Sequence, residues 1–495
     1  MAPTLMSTVK KGLFSSALLV AESISKKMIG VVSTLILARV LVPEDFGLVA
    51  IATLYLGLLD VLTNTGSMQY LLRSDKLDEE TVNTSWTINL ILKGILSVVM
   101  VVSAPFVSQY YEDSRLTPIL YVLSCLIIVR CLNNPGVAFL RREQNYKSLV
   151  KLSIIAKFFS VGVAVSIALT FESYWALILG QCANGLMMVI GSYFIHDHRP
   201  SLTLANAKEQ WSFSGWMIPQ SVLGYFRTQL DTIMVSSTFG KEALGSYHIM
   251  KYLAFIPSSQ ILLPATQPLL VELNKTKNDA NAFSRQFNIS FVVTMILALP
   301  ITGLMVSQHE LITLVFLGNK WIDYSQLLAY FSLLIPAVAM LNQGRRVLVV
   351  YGKTKQMLYY EILSFTLLYG SLFSIGMDDL LFFSLIRVGI ENALCLLFLA
   401  FIALTYTGFK NTLILLFVCI PLILATILAS LATSYLNVGS GFILFDLIVT
   451  GLIFVIVFFA LLLVFHYSFM RRTVEWKYIE SLANRSLGVI LQRFQ

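Results

Sequence analysis

Charge is scarce in this chain. Only 13% of its 495 residues are Asp, Glu, Lys or Arg, whereas soluble globular domains carry about 25%. Because 57% of the residues are hydrophobic and the mean hydropathy is +0.77, the composition excludes a soluble globular fold. The few charges separate apolar blocks of about 20 residues, each long enough to cross a hydrocarbon layer as a helix. The composition therefore predicts a multi-pass membrane protein.

Cysteine and histidine are also sparse, and their spacing points to no metal or disulfide site. The five cysteines all lie in apolar segments without CxxC spacing, so neither a disulfide framework nor a zinc site is predicted. His196 and His198 form an HxH pair in a loop, and two imidazoles without further ligands are expected to be ordinary loop residues. The sequence predicts no metal and no cofactor.

Long hydrophilic loops are missing as well. Hydropathy predicts about fourteen spans, and the largest intervals between them are about 12 to 17 residues. An integral-membrane polymerase or glycosyltransferase is expected to expose a catalytic loop or domain, so we predict that the chain is not an enzyme. The predicted windows are 12–38, 46–71, 84–106, 116–138, 149–170, 174–195, 212–238, 243–271, 285–307, 325–350, 356–376, 379–405, 411–435 and 442–469.

The orientation follows from the basic residues. If the N-terminus is cytoplasmic, about 23 Lys and Arg lie on the inner side, and the outer side holds only Arg39, Arg115, Lys241 and Lys320. This asymmetry predicts that both termini are cytoplasmic. The net charge of +8 is then an orientation signal, and no nucleic-acid partner is predicted. The tail, 471–495, has helical spacing of apolar residues, which favours either an amphipathic surface helix or packing against the helix bundle.

An internal repeat divides the predicted spans. The segment 37–48 aligns without gaps to 235–246 at an offset of 198 residues, matching Glu44 with Glu242 and Gly47 with Gly245. Six spans separate the two segments, so both halves enter the membrane with the same polarity, and their pseudo-twofold axis runs along the membrane normal. The predicted fold is all-α, with two six-helix lobes and two extra helices. The predicted domains are 1–205, 206–408, 409–470 and the tail 471–495.

Several segments resemble the bacterial polysaccharide flippases of the multidrug/oligosaccharidyl-lipid/polysaccharide exporter superfamily. They are TLILARVLVPEDFG after the first span, FLRREQNYK after the fourth, FRTQLDTIMVSSTFGKEALGSYHIMKYLA across the seventh and eighth, and LVFLGNKW before the tenth. The resemblance covers roughly residues 10–470 and is closest to the lipopolysaccharide and exopolysaccharide branch. It implies that an undecaprenyl-diphosphate-linked oligosaccharide repeat unit is flipped from the inner to the outer leaflet through a central cavity. Membrane lipids and the polysaccharide polymerase machinery are the other expected partners.

Charges inside the predicted spans give an independent reason to expect a cavity. Fourteen such groups facing lipid would cost about 35 kcal/mol at ~2.5 kcal/mol each, more than the ~5 to 15 kcal/mol stability of a folded domain. Three pairs are spaced to bond locally, and the remainder has more bases than acids. The local pairs are Glu22 with Lys26, Arg227 with Asp231, and Arg387 with Glu391; the remaining groups are Lys27, Lys93, Arg130, Lys157, Lys251, Asp60, Glu361 and Asp446.

A basic lining suits a diphosphate, because a low dielectric strengthens the attraction. The predicted substrate-binding residues are Lys26, Lys27, Lys93, Arg130, Lys157, Arg227 and Lys251. Some alternatives stay open: Arg130 lies near a span end and is placed to snorkel to headgroups, and adjacent Lys26 and Lys27 point about 100° apart. Asp60 and Asp231 are candidates for H⁺ or Na⁺ coupling or for charge partners.

Three prolines fall in the eighth window. Pro257, Pro264 and Pro268 each remove a backbone donor, so the helix is expected to bend or break there. This is either a hinge or an inert kink. Two other functions compete with the flippase: a drug or cation antiporter of the same superfamily, whose cationic substrates favour acidic cavities, and a membrane glycosyltransferase or polymerase using Glu44 and Asp45.

Overall fold

The computed structural model describes residues 2–67, 70–71, 77–266, 268–374, 379–435 and 440–468. All regular secondary structure in these residues is helical. Nine helical segments of this described part are long and apolar enough to span a membrane, which confirms an all-α, multi-pass membrane protein. The count of fourteen stays a prediction, since other described helices are short or carry charge. The tail at 471–495 lies outside the described residues.

The Cα positions divide into two compact units, Met1–His248 and Ile249–Gln495. The predicted lobe boundaries are not tested by this division, which falls within one helix. The helices that begin in the first unit are α1 Ala2–Val40, α2 Pro43–Leu62, α3 Glu79–Tyr110, α4 Leu116–Cys131, α5 Val137–Arg142, α6 Lys147–Phe171, α7 Trp175–Ile195, α8 Ala207–Thr238 and α9 Gly240–Pro257.

Local chemistry explains where α2 and α3 begin. Pro43 occupies the first turn of α2, where its missing N–H costs nothing, and Asp45 Oδ2 accepts from the Val42 N–H at 3.2 Å. Asp78 caps α3 by accepting from the Thr81 N–H at 2.8 Å. Acidic residues in both first turns also suit the positive end of the helix dipole.

Small residues allow close helix packing within the first unit. A Cβ on Gly180 of α7 would lie 2.9 Å from the Ala164 Cβ of α6, and one on Gly191 would lie 2.0 Å from Leu152. Glycine and alanine let membrane helices approach closely where burial of apolar surface gives little driving force. α6 therefore packs along α7, and α6 also packs against α1.

The loops of the first unit gather at two ends, which side-chain contacts define. At the Glu44 end, Arg115 contacts Glu44 and lies 6.0 Å from the Tyr174 ring centroid. At the Arg141 end, the loop after α7 bonds to the start of α3, as in the 2.9 Å bond from Asn83 Nδ2 to Ser201 Oγ.

Two predicted spans of this unit were too long. α2 stops at Leu62 rather than 71 because a turn follows. In this turn the Asn64 side chain accepts from the Gly66 N–H, and Gly66 has a φ of 62°. α4 stops at Cys131 rather than 138, and the short helix α5 follows separately. There, the Asn134 side chain accepts from the Gly136 N–H at 2.9 Å and holds a turn that contains Pro135.

The second unit contains a further series of helices. A π-helical turn, Ser258–Leu262, precedes α10 Leu263–Thr266, α11 Pro268–Lys275, α12 Ala280–Ser307 and α13 His309–Phe316. A 3₁₀ turn, Asn319–Tyr324, follows, and then α14 Ser325–Ser332, α15 Leu334–Val350, α16 Thr354–Ser374, α17 Leu380–Thr407, α18 Phe409–Ser434 and α19 Ile443–Ser468. α12 packs against α15 and α18, and α15 packs against α17. The predicted window 325–350 is thus two helices.

The prolines of the eighth window coincide with breaks in the helix. α9 ends at Pro257, and the π-helical turn follows directly. Pro264 lies in the four-residue helix α10, and Pro268 begins α11. A π-helical turn interrupts regular α-helical bonding and is frequent at functional sites. A hinge role for these prolines stays a prediction.

Charged groups of the second unit form ion pairs. Arg345 donates to Glu361, and Arg387 lies 3.2 Å from Glu391 at the predicted i,i+4 spacing. The sequence left Glu361 without a local partner and placed Arg345 on the inner surface, whereas Arg345 lies within α15. Asp446 accepts from the Ser440 hydroxyl at 2.6 Å, near the start of α19.

Candidate functional site

A cavity of about 650 Å³ lies at the Arg141 end of the first unit. The described residues that line it all fall between Leu19 and Ile195, and they come mainly from α1, α3, α4, α6 and α7. Small-molecule sites in proteins have volumes of about 300 to 1,000 Å³. The cavity is therefore large enough for a diphosphate with an attached sugar.

The charged part of the lining is mainly basic. It comprises Lys26, Lys93, Arg130 and Arg141, with Glu22 as the acidic member. Three of these bases are predicted binding residues, and the structure brings them together in one cavity. Arg141 was assigned by sequence to a loop outside the site.

Two of the four bases have carboxylate partners. Lys26 Nζ lies 3.3 Å from Glu22 Oε1, as predicted from the i,i+4 spacing. Lys93 Nζ donates to Asp60 Oδ1 at 2.7 Å, joining α3 to the last turn of α2. The sequence predicts no local partner for Lys93 or Asp60, because the two residues are 33 positions apart. Asp60 is thus a charge partner, and its side chain is 59% exposed.

The two arginines of the lining differ from the lysines. Within the described part of the chain, no acidic side chain lies within 4.0 Å of the Arg130 or Arg141 guanidinium. Arg130 lies in the last turn of α4 and Arg141 in the last turn of α5. Two guanidiniums at one cavity, each with no described carboxylate within 4.0 Å, favour an anionic ligand.

Polar side chains continue the wall along one face of α3. Asn89 Nδ2 donates to Ser67 Oγ at 2.8 Å, and Ser85 Oγ donates at 2.7 Å to the fully buried Gln210 of α8. Trp86 is fixed by its indole N–H, which donates to the Cys131 carbonyl at 2.8 Å. Hydroxyls, amides and an aromatic ring therefore line the cavity beside the bases.

The loop with the HxH pair has a structural role. Asn134 Nδ2 donates to the carbonyls of His196 and His198 at 2.8 and 2.9 Å, and the His196 ring stacks on Phe139. A ring nitrogen of His198 lies 2.9 Å from Asn83 Oδ1, and burial lowers the pKa of this imidazole. Among the described residues no group of three or more potential ligands suits a metal ion.

The other predicted bases of the first unit lie elsewhere. Lys27 is exposed, and Lys157 on α6 is half-buried, facing Gly30 of α1 with its Nζ 3.8 Å from where a Cβ would lie. Neither is among the described residues that line the cavity. Adjacent Lys26 and Lys27 indeed point in different directions, as their 100° separation requires.

Arg227, Asp231 and Lys251 also lie outside the segment that lines the cavity. Asp231 of α8 is fully buried, and its Oδ2 accepts from the Tyr247 hydroxyl at 2.8 Å. Its Oδ1 accepts from the Thr232 backbone N–H at 2.8 Å. Arg227 and Lys251 are half-buried. Their predicted contacts with a diphosphate stay predictions.

Part of the cavity lining that was not predicted does have a recognisable pattern in the sequence. Ser85, Asn89 and Lys93 recur every four residues, which places them on one face of a helix that is otherwise apolar. The Asn-Asn-Pro-Gly run at 133–136 likewise lay inside a window that hydropathy treated as a continuous span. Arg141 has no such signal, because its place in the cavity depends on the turn before α5.

Comparison with known proteins identifies the family. Residues 36–326 match the family described as "Polysaccharide biosynthesis protein", and the chain belongs to this family. It is 23% identical to the lipopolysaccharide biosynthesis protein WzxC of Escherichia coli (strain K12), over 62% of this chain and 64% of that protein. It is 24% identical to the succinoglycan biosynthesis transport protein ExoT of Rhizobium meliloti (strain 1021), over 58% of each. The chain thus matches about three fifths of the length of these relatives.

A solved structure has the same fold. The inward closed conformation of the lipid II flippase MurJ superposes with a TM-score of 0.69 at 15% identity, covering 91% of this chain and all of that one. At this identity the similarity establishes the fold only. That fold is all-helical and crosses the membrane several times.

Proposed function

We propose that this protein is a flippase that moves an undecaprenyl-diphosphate-linked oligosaccharide from the inner to the outer leaflet for polysaccharide biosynthesis. The observation that carries the proposal is the cavity at the Arg141 end, where Arg130 and Arg141 have no described acidic partner. Ionisable groups inside a membrane protein usually mark a substrate pathway. No bond of the substrate is made or broken in this function, so the protein is not an enzyme.

The chemistry of the lining matches a lipid-linked sugar diphosphate. A guanidinium presents a planar fork of donors that fits phosphate oxygens in pairs. Lys26 and Lys93 add positive charge. They form ion pairs with Glu22 and Asp60, and a bound phosphate would compete with these carboxylates. The amides, hydroxyls and indole beside them suit the hydroxyls and apolar faces of a sugar ring.

The orientation of the chain supports loading from the cytoplasm. Basic residues cluster at the Arg141 end, among them Arg141, Arg142, Lys147 and Arg199, and basic loops remain cytoplasmic. In the proposed orientation the cavity faces the inner leaflet, both termini are cytoplasmic, and the protein resides in the bacterial inner membrane. Substrate then leaves on the side of the Glu44 end by alternating access.

The names of the relatives agree with this proposal. They describe a lipopolysaccharide biosynthesis protein, a succinoglycan transport protein and a lipid II flippase. We further propose that the product is passed to polysaccharide polymerase machinery, and that H⁺ or Na⁺ drives transport. Flux in proteoliposomes that is indifferent to both ion gradients would exclude this coupling.

Deletion of the gene tests the function directly. We expect lipid-linked repeat units to accumulate in the inner leaflet of the deletion strain. Complementation with the natural chain should clear them, whereas a chain with Arg130→Ala and Arg141→Ala should not. Lys27→Ala is the matched control, because Lys27 is a base of the same unit outside the described lining.

Two other results would contradict the proposal. Unpolymerised repeat units accumulating in the outer leaflet would identify a polymerase. Normal polysaccharide together with lost resistance to cationic drugs would identify a drug antiporter.

A further inference from the structure

A cluster of charged residues ties three segments together at the Glu44 end. Arg115 donates to Glu44 of α2 and to Asp113 Oδ2 at 2.7 Å. Lys241 of α9 donates to the same Asp113 oxygen at 2.6 Å. One carboxylate, only 5% exposed, thus joins the loop between α3 and α4 to α9, and Arg115 extends the cluster to α2.

Protonation does not open this cluster at physiological pH. Burial by itself would raise the pKa of the Asp113 carboxyl, but hydrogen bonds from Arg115 and Lys241 outweigh burial and hold the pKa well below its ordinary value. A carboxyl with a lowered pKa keeps its stabilising contribution above the unfolded pKa of about 3.9 and loses it only as the pH falls through the lower, folded value. The contacts must therefore be broken by movement.

Two glycines bring α2 and α9 into backbone contact beside the charged cluster. A Cβ on Gly47 would lie 1.7 Å from the Lys241 carbonyl oxygen, and a Cβ on Gly245 would lie 1.8 Å from the Pro43 carbonyl oxygen. The contacts are reciprocal under the repeat offset of 198 residues, which pairs Gly47 with Gly245 and Pro43 with Lys241. Any side chain at either glycine would force the two helices apart.

Close contacts of α2 also extend to α8. Tyr225 of α8 donates its hydroxyl to the Leu54 carbonyl at 2.5 Å, and its ring would lie 3.0 Å from a Cβ on Gly57. The Tyr111 hydroxyl lies 3.1 Å from Ser236 Oγ. Ser236 is only 4% exposed, so this side chain is buried at the contact with the loop between α3 and α4.

We propose that Glu44, Asp113, Arg115, Lys241 and the glycine pair form a latch that closes the outward exit while the cavity at the other end is open for loading. The proposal rests on the proposed function, which requires one end to be closed while the other is open. Close backbone contact and a partly exposed ion pair suit a joint that opens, because the Arg115 and Glu44 side chains are 37% and 45% exposed and water can solvate them once they part.

α2 links the latch to the cavity. The helix carries Glu44 in its first turn and Asp60 in its last, about 25 Å apart at 1.5 Å per residue. Asp60 holds α2 to Lys93 in the cavity wall. A diphosphate that takes Lys93 releases Asp60, and α2 is then free to tilt away from α9 at its other end.

External thiol labelling tests the latch independently of transport. In a chain lacking the five native cysteines, Ser236→Cys should react poorly with an impermeant maleimide in intact cells. Adding Gly47→Val or Lys241→Ala should raise the labelling rate at least fivefold, and Lys241→Arg should keep it low. Gly162→Val is the control, because nothing lies within 4 Å of a Cβ there.

Equal labelling in all of these variants would overturn the latch. Lys241→Ala keeps the test valid if Gly47→Val fails to fold, since the lysine side chain is 24% exposed and its removal leaves Asp113 bonded to Arg115. Labelling that follows the latch variants in a protein that moves no lipid-linked sugar would support the latch and reject the proposed function. Unchanged labelling in a protein that does move lipid-linked sugar would reject the latch and support the proposed function.

Discussion

At the scale of single residues, the bases of the first unit differ in whether a carboxylate is already bonded to them. Lys26 and Lys93 are bonded to Glu22 and Asp60, so a ligand must displace a carboxylate before it binds them. Arg130 has no acidic partner within the described chain and meets a phosphate without that competition. It should therefore contribute more to binding than either lysine.

Replacing Arg130 tests this difference. Loss of a charge-assisted hydrogen bond costs about 1.5 to 3 kcal/mol, so Arg130→Ala should lower flipping roughly ten- to a hundredfold, while Arg130→Lys keeps the charge and part of the activity. Lys27→Ala should leave the rate unchanged. The measurement is flipping normalised to membrane-inserted protein, and equal rates for Arg130→Ala and Lys27→Ala would contradict the assignment.

The buried carboxyl group of Asp231 is expected to stabilise the fold through the hydrogen bonds that it accepts. Its bond from the Tyr247 hydroxyl is removed by Tyr247→Phe, which leaves one buried oxygen less satisfied at a cost of about 1 to 3 kcal/mol. We expect a lower melting temperature for the detergent-solubilised protein. Tyr435→Phe, at a side chain 87% exposed, should melt like the natural chain. A melting temperature unaffected by Tyr247→Phe would show that the bond is unimportant.

At the scale of helices, hydropathy located the nine spans that the described residues show, but not their ends. Apolar runs are visible in sequence because each must face lipid or protein over about 20 residues. The ends of α2 and α4 were missed because Asn64 and Asn134 make turns inside apolar windows. Local i,i+4 pairs such as Glu22 with Lys26 were predictable, whereas the pairing of Lys93 with Asp60 depends on how α3 packs beside α2.

The break after α9 leads to a prediction about Pro257. Pro257→Ala restores a backbone donor and should favour a continuous helix through the π-helical turn at Ser258–Leu262. If the turn is a hinge, flipping should fall severalfold at unchanged protein abundance. Pro300→Ala is the control, because Pro300 lies inside the uninterrupted helix α12. Normal flipping in Pro257→Ala would mean that the break is an inert kink.

At the scale of the whole molecule, the proposed orientation fixes which ends of the helices face the outside. A cysteine at the exposed Ser114, at the Glu44 end, should react with an impermeant thiol reagent in intact cells on a background without native cysteines. A cysteine at Lys353, predicted to be cytoplasmic, should react only after permeabilisation. The opposite pattern would invert the topology.

In the proposed function, the cavity containing Arg130 and Arg141 carries a lipid-linked sugar diphosphate across the membrane. The most direct test uses purified protein in proteoliposomes with an undecaprenyl-diphosphate-linked oligosaccharide, measuring the fraction accessible from outside over time. We predict rapid equilibration with the natural chain and with Lys27→Ala, and loss of equilibration with Arg130→Ala combined with Arg141→Ala. Equal rates for the natural chain and the double variant, at equal reconstituted amounts, would contradict the account.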